Sequence, residues 1–284
     1  MAMIFMKKYS AVFALLFALA TFATAAPIVT ETYATASDGT RLTWEVYTPA
    51  GRGPWPAVLV IHGGLYVSGD ASEQGVATCA RDLSRAGYVA FSINYRLAPP
   101  GEIPGQKSSG RYPDQYDDVQ LAVLAARSDA RSNGKVGAVG GSAGATHAVW
   151  ASATGTPGND RLDAAVGLSG AYNFANFAPD DNLILFQNAV TNYVGVPASD
   201  LDALFAASPV AQVDRTVAPL YLADSAGDIM PEVQLTDLVA RLTLVGDRDF
   251  EAVTLPGKGH SFYNWRLVAS DAIGFLGQHL GRAR

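Results

Sequence analysis

The chain has 284 residues, of which 49% are hydrophobic and 16% are charged, a composition typical of a globular protein with a large core. Its formal net charge of −6 argues against nucleic acid or an anionic membrane as a partner. Cys79 is the one cysteine, which excludes an internal disulfide, and we expect its side chain to be buried.

The start of the chain has the pattern of a secretory signal peptide. Two lysines precede an apolar stretch at 11–23 that is too short to span a bilayer, and the Ala-Thr-Ala segment at 23–25 is a typical cleavage site. We expect cleavage after Ala25, which removes the signal peptide 1–25 and leaves a secreted or periplasmic chain without stable membrane association. The alternative is an uncleaved membrane anchor.

In the remaining chain, apolar runs that suit strands alternate with runs that suit helices. Strands are predicted at 30–36, 41–48, 57–61, 88–93, 136–139, 164–168, 219–223 and 250–255. Helices are predicted at 71–86, 114–130, 145–153, 231–244 and 262–280. This alternation predicts an α/β fold in which helices cover both faces of a mostly parallel central sheet, with an antiparallel hairpin at its start.

Residues 173–214 interrupt this rhythm. The segment contains several aromatic and aliphatic residues, among them Phe174 and Phe186, and predicts a small helical, cap-like insert. Because no linker divides the chain, residues 26–284 are predicted to form a single domain.

The segment Gly140-Gly141-Ser142-Ala143-Gly144 has the Gly-x-Ser-x-Gly pattern of a nucleophile elbow. It joins a predicted strand to a predicted helix, which is the context that this sharp turn requires, and its glycines leave room for the turn. The backbone N–H of Ala143 lies at the start of the helix, where an anion is favoured. The pattern alone is weak evidence, since glycine-rich turns between a strand and a helix also bind phosphates.

Two further side chains follow predicted strands and therefore lie at the same sheet edge as Ser142. Asp228 follows the strand at 219–223, and His260 follows the strand at 250–255. An imidazole can take the proton of an attacking serine, and a carboxylate can orient the imidazole and stabilise its charged form. Asp224 competes with Asp228 for the acid role; we favour Asp228, which has a glycine before it and a proline-initiated helix after it.

The motif His62-Gly63-Gly64 follows the third predicted strand. The backbone N–H groups of Gly63 and Gly64, together with that of Ala143, can form an oxyanion hole. We expect His62 to hold its loop in shape rather than to transfer protons. No His-Glu-x-x-His or Cys/His cluster is present in the sequence, so we expect neither a metal nor a cofactor. Two other histidines lie in helical patterns and are expected to be structural: His147 and His279.

Taken together, these motifs resemble a known group of α/β-hydrolase enzymes. The matching motifs, in chain order, are His62-Gly63-Gly64, Gly69-Asp70, Gly87-Tyr88, Asn94-Tyr95-Arg96-Leu97-Ala98-Pro99, Tyr112-Pro113 with Asp117-Asp118, Gly140-Gly141-Ser142-Ala143-Gly144, Ala207-Ser208-Pro209 and Gly259-His260. They look like the hormone-sensitive-lipase-like and the bacterial feruloyl and acetyl-xylan esterase-like (BD-FAE-type) carboxylesterases, over roughly residue 56 to the end. The resemblance implies an α/β-hydrolase fold, a Ser142–Asp228–His260 triad and an oxyanion hole formed by Gly63, Gly64 and Ala143.

The sequence departs from that group after His-Gly-Gly, where a third glycine and an aromatic residue are common. Leu65 and Tyr66 follow here, and we expect both to contact the substrate. Tyr66 stands in for the usual aromatic residue, and Leu65 is expected to narrow the acyl pocket or to shift the loop.

The sequence therefore predicts an exported serine carboxylesterase that hydrolyses short-chain or small aromatic esters through an acyl-enzyme. The substrate is expected to be a small molecule or an ester linked to a polysaccharide. One alternative is an amidase or peptidase on the same fold, although such enzymes usually carry a large additional domain. Another is a non-catalytic exported binding protein, whose mark would be loss of the serine, histidine or acid, and none is missing.

Overall fold

The computed structural model describes residues 27–99, 110–176 and 183–281. The predicted signal peptide, 1–25, lies outside the described residues, as do residues 177–182 of the predicted insert. No helix in the described part of the chain has the length and apolar character needed to cross a membrane.

Eight strands in these residues form one sheet, with the order β1-β2-β4-β3-β5-β6-β7-β8. The strands are β1 Val29–Thr35, β2 Arg41–Tyr47, β3 Trp55–Ile61, β4 Val89–Ile93, β5 Ser132–Gly141, β6 Ala164–Leu168, β7 Leu220–Ser225 and β8 Phe250–Leu255. The first two strands form an antiparallel hairpin, β2 pairs antiparallel with β4, and all other neighbours are parallel. The predicted mostly parallel sheet with an antiparallel start is confirmed.

The central strands β3 and β6 are apolar along their whole length because they are covered on both faces. Every residue of β4 and β6 is buried. The pairings Ile61 with Gly140, Gly141 with Leu168 and Ser225 with Leu255 align the ends of the parallel strands. The loops that carry the predicted site residues consequently leave the sheet at one edge.

Helices cover both faces, and the core is correspondingly in two layers. The helices are α1 Gln74–Arg85, α2 Asp114–Ser128, α3 Ala143–Ala153, α4 Leu183–Val194, α5 Leu201–Ala206, α6 Pro209–Gln212, α7 Val233–Val245 and α8 Trp265–Leu280. One layer contains the apolar faces of α2, α3 and α7, and the other contains those of α1 and α8. Cys79 is fully buried in the second layer, as expected.

The described part of the predicted insert contains α4, α5 and α6, between β6 and β7. Tyr193 of α4 is fully buried and stacks on Tyr66, with 4.3 Å between ring centroids. The Asn192 amide donates to the carbonyl of Ala98 at 3.0 Å, and the Tyr112 N–H donates to the Tyr193 carbonyl at 3.0 Å. These contacts attach α4 firmly to the body of the molecule. The domain boundaries themselves stay a prediction.

Candidate active site

Ser142 lies in a strained turn between β5 and α3. Its φ of +55° and ψ of −121° are sparsely populated for a residue with a side chain, as expected at a nucleophile elbow. The neighbouring glycines are sterically required, since a Cβ on Gly140 would collide with the carbonyl of Gly144, and one on Gly144 with the carbonyl of Ile61. The Ser142 N–H donates to the Leu168 carbonyl at 2.8 Å, which ties the turn to β6.

The structure brings the predicted acid and base together. His260 Nδ1 lies 2.7 Å from Asp228 Oδ1. Because an ionised carboxylate only accepts hydrogen bonds, Nδ1 is the donor, which leaves Nε2 as the basic nitrogen. Burial raises the pKa of Asp228, but hydrogen bonds from His260, the Met230 N–H and the Ser169 hydroxyl outweigh it and lower this pKa below its usual value.

Asp224, the competing acid, has a different partner. It lies within β7, its side chain is 4% exposed, and its Oδ1 accepts from the Ser169 N–H at 3.0 Å. Its Oδ2 has no hydrogen-bond partner among the described residues. Burial, followed by the nearby charge of Asp228, raises the pKa of Asp224 to about 7. The geometry thus pairs His260 with Asp228, the acid that the sequence analysis favoured.

The His-Gly-Gly loop packs directly against the elbow. A Cβ on Gly63 would lie 2.9 Å from both the Gly141 carbonyl oxygen and Ser142 Cβ, so only glycine permits this approach. His62 is buried, its Nδ1 lies 2.7 Å from the Gly63 carbonyl oxygen, and its ring stacks on Tyr95 at 4.3 Å. Burial lowers the pKa of His62, which agrees with a neutral residue that holds the loop.

The two residues after the loop differ from each other. Both Leu65 and Tyr66 have left-handed backbones, with φ of +55° and +68°. The Leu65 side chain is exposed and lines the cavity beside Ser142. Tyr66 is 2% exposed, and its hydroxyl hydrogen-bonds to Thr146 Oγ1 at 3.1 Å. The expectation that Tyr66 contacts the substrate is therefore not met, because stacking on Tyr193 buries its ring in the core.

The two remaining histidines have structural surroundings. His147 is fully buried, and its Nε2 lies 2.9 Å from Gln115 Oε1. Burial lowers the pKa of His147 to about 3. His279, in the last turn of α8, lies 3.6 Å from Asp249 and packs on Phe275. Neither histidine lines the cavity described next.

A cavity of about 880 Å³ opens over Ser142 and His260. Its walls come from the His-Gly-Gly loop, the start of α1, the 3₁₀ turn Ser261–Asn264 and the start of α8. Four exposed apolar or aromatic side chains belong to this wall: Leu65, Leu185, Ile229 and Tyr263. Such a lining suits a neutral ligand of moderate size.

Sequence reasoning missed two buried residues behind Asp228 and His260, namely Ser169 and Asn264. The Ser169 hydroxyl lies 2.5 Å from Asp228 Oδ2, and the Asn264 amide donates to the Gly259 carbonyl at 3.1 Å. The available signal for Ser169 was its place immediately after a buried strand, at the same edge as Ser142. Within the described ranges, no group of three or more His, Cys, Asp or Glu side chains is arranged to hold a metal ion.

A sequence model of the family described as BD-FAE matches residues 44–242, well over half of the chain. Esterase LipC of Mycobacterium tuberculosis is 28% identical over 232 residues, which cover 74% of this chain and 53% of that protein. The chain therefore spans about half the length of this curated relative.

Solved structures of esterases share the fold. A truncated carbohydrate esterase from gut microbiota superposes with a TM-score of 0.72 at 21% identity, covering 91% of this chain and 98% of that one. A thermophilic esterase of Thermogutta terrifontis, Est2, gives 0.69 at 20% identity, covering 90% and 94%. Esterase 2 of the same organism, phosphonylated by sarin, gives 0.71 at 19% identity, covering 90% and 96%. The fold is the α/β-hydrolase fold that the resemblance implied.

Proposed function

Because this chain belongs to the BD-FAE family, we propose that it is a serine carboxylesterase that hydrolyses small carboxylic esters through an acyl-enzyme intermediate. The observation that carries this proposal is the meeting of Ser142, on its strained turn, with the hydrogen-bonded pair His260 and Asp228 at one cavity. The esterases with the same fold support it, and the sarin adduct of the Thermogutta enzyme suggests a reactive nucleophile of the same kind.

In the first half of the reaction, Ser142 Oγ attacks the ester carbonyl while His260 Nε2 takes its proton. Asp228 stabilises the imidazolium that forms. The oxyanion of the tetrahedral intermediate accepts hydrogen bonds from the N–H groups of Gly63, Gly64 and Ala143. The imidazolium then protonates the leaving alkoxide, so that the alcohol departs and the acyl group stays on Ser142.

In the second half, water attacks the acyl-enzyme. His260 takes the proton of the water and returns it to Ser142 Oγ as the acid leaves, which restores the resting state. The mostly apolar walls of the cavity favour a neutral substrate with a short acyl chain or a small aromatic group. An ester carried on a polysaccharide suits the same chemistry, since the wall of the cavity includes Tyr263, whose side chain is exposed to solvent.

Turnover of p-nitrophenyl esters of increasing acyl length tests the proposal. We expect hydrolysis with a short-chain optimum, and Ser142→Ala should lower kcat/KM by about 10⁴-fold or more while the protein stays folded. The matched control is Ser152→Ala, which removes a buried hydroxyl that donates to the Ala148 carbonyl within α3. A fluorophosphonate should label the wild-type enzyme on the peptide that contains Ser142.

Activity that survives in Ser142→Ala would contradict this mechanism. Matching amides in the same panel test the amidase alternative, which requires turnover of the amide at a rate comparable to the ester. Export by a signal peptide is part of the proposal, and sequencing the amino terminus of protein secreted by the producing cell tests it. We expect the mature chain to begin at Ala26.

A further inference from the structure

Ser169 occupies an unusual position behind the triad. It is the first residue after β6, it is fully buried, and its φ of +56° is a left-handed conformation that serine rarely adopts. Its N–H points to Asp224 Oδ1, at 3.0 Å, and to the carbonyl of Ala223, also at 3.0 Å. These contacts to β7 keep the strained backbone in place.

The direction of the Ser169 hydroxyl proton follows from its three partners. The Ser261 N–H lies 3.0 Å from Ser169 Oγ, and Asn264 Nδ2 lies 3.4 Å from it. Both groups only donate, and the orientation of the Asn264 amide is set by the carbonyl of Gly259, which only accepts. The single hydroxyl proton therefore points to the third partner, Asp228 Oδ2 at 2.5 Å.

We propose that Ser169 is a positioning residue that sets the orientation and the proton affinity of the Asp228–His260 pair, an inference that rests on the proposed function of this site. The Asp228 side chain is 2% exposed, so its carboxylate depends on protein donors rather than on bulk solvent. One carboxylate oxygen accepts from His260 and Met230, and the other accepts from Ser169. Contacts at both oxygens hold the plane of the carboxylate, and hence the imidazole, in one orientation.

The same hydroxyl also connects the acid to the loop of the base. Ser169 Oγ accepts a hydrogen bond from the Ser261 N–H, which fixes the residue directly after His260. It also accepts one from the Asn264 amide, which fixes the 3₁₀ turn that follows. Ser169 thus joins three segments that are distant in sequence: the end of β6, the Asp228 loop and the His260 loop.

The expected effect on protonation has a definite sign. A hydrogen bond to the charged form of a carboxyl lowers its pKa, so loss of the Ser169 hydroxyl makes Asp228 more basic. A more basic Asp228 holds the His260 imidazolium more strongly, and the coupled pair keeps its proton to higher pH. The other titratable side chains around the pair and its cavity are present in wild type and variants alike: Asp224, Tyr172, Lys258, Glu73 and Arg266.

The test compares Ser169→Ala and Ser169→Gly with wild type and with the Ser152→Ala control. We expect the acid limb of the kcat/KM pH profile to move up by about 0.5–1 pH unit in both Ser169 variants. We also expect kcat to fall about tenfold or more, with KM within about threefold, since the base is misdirected but the cavity is intact. A merely structural role would lower activity without moving the acid limb, and that result would overturn the proposal.

Two features keep the outcome interpretable. Glycine adopts a positive φ without strain, so Ser169→Gly remains folded if the alanine variant does not. NMR titration of the His260 ring follows the protonation of the Asp228–His260 pair without any substrate. The chain has four histidines, and comparison with His260→Gln assigns the signal of His260. A wild-type protein that hydrolyses no ester contradicts the proposed function, whereas an unchanged His260 titration in both Ser169 variants contradicts this inference.

Discussion

At the scale of single residues, Asp224 and Asp228 show how the surroundings decide the state of a carboxyl group. Asp228 accepts from His260, Met230 and Ser169, and these donors lower its pKa despite burial. Asp224 accepts only a backbone N–H among the described residues, and burial beside Asp228 raises its pKa to about 7. One sheet edge therefore holds an ionised acid that is hydrogen-bonded to His260 and a second acid that is neutral in mildly acidic solution.

Stability should fall with rising pH because of Asp224. Its pKa rises from 3.8 in the unfolded chain to about 7 in the fold, so between these values the native state keeps a proton that the unfolded state has lost. The resulting loss of stability from pH 4 to pH 7 is roughly 2–4 kcal/mol. Asp224→Asn removes this pH dependence. We therefore expect the free energy of unfolding of the variant relative to wild type, measured in urea, to increase from pH 4 to pH 7.

The control for this experiment is Asp202→Asn, which replaces an exposed acid in α5. Because Asp202 is on the surface, its replacement should change the unfolding free energy by no more than about 0.5 kcal/mol. Parallel stability curves for wild type and Asp224→Asn would show that Asp224 is ionised in the fold over the whole range.

At the scale of elements, a buried ion pair fastens α2 to the end of β4. Arg96, 5% exposed, donates through Nη2 to Asp118 Oδ1 at 2.7 Å and through Nε to Oδ2 at 2.9 Å. Asp114, at 3.1 Å, and Asp38 from the β1–β2 turn, at 3.4 Å, lie on the other side of the guanidinium. Arg96 thus joins the end of β4 to α2 and to the β1–β2 turn.

Arg96→Met should destabilise the fold by about 3–5 kcal/mol, because it leaves the fully buried Asp118 without its counter-charge. The double variant with Asp118→Leu should recover a large part of this loss, since no unpaired charge remains. Arg85→Met breaks an exposed pair with Asp82 and should cost less than about 1 kcal/mol. Urea unfolding of the four proteins gives these values, and equal losses in the single and double variants would contradict the account.

The same scale shows what the sequence could predict. Most core strands can be recognised in the sequence because they contain long apolar runs. The elbow can be recognised because the glycines that its sharp turn requires give the Gly-x-Ser-x-Gly pattern. The role of Ser169 was not recognisable, since its hydroxyl acts on partners 59 and 92 residues away, in loops that only the sheet order brings together. The burial of Tyr66 could not be predicted from the sequence either, because the ring that covers it, Tyr193, belongs to α4, which is distant in the chain.

At the scale of the whole molecule, one sheet links every part of the site. Gly63, Ser142, Asp228 and His260 follow β3, β5, β7 and β8, which share the same sheet and the same two core layers. The described part of the insert shares a third buried cluster with the body, in which Tyr193 of α4 packs with Tyr66 and with Tyr116 of α2.

We therefore expect the mature chain to unfold in a single calorimetric transition. Labelling of Ser142 by a fluorophosphonate should disappear over the same temperature range, because the elbow and the His260 loop depend on the same sheet. Ser142→Ala should unfold at nearly the same temperature, since alanine keeps the Cβ and the backbone strain. Two resolved transitions, or labelling that disappears well before the heat uptake, would indicate a separately unfolding part and contradict the single-domain prediction.

The position of β8 at the end of the sheet order has a consequence for biosynthesis. This strand pairs only with β7 within the sheet, and His260 follows it, so the ribosome makes the base long after Ser142. A nascent chain that has completed β5 and α3 carries Ser142 but not yet His260. Under the proposed mechanism, hydrolysis therefore requires that translation has passed the His260 loop, and we expect an unfinished chain to hydrolyse no ester.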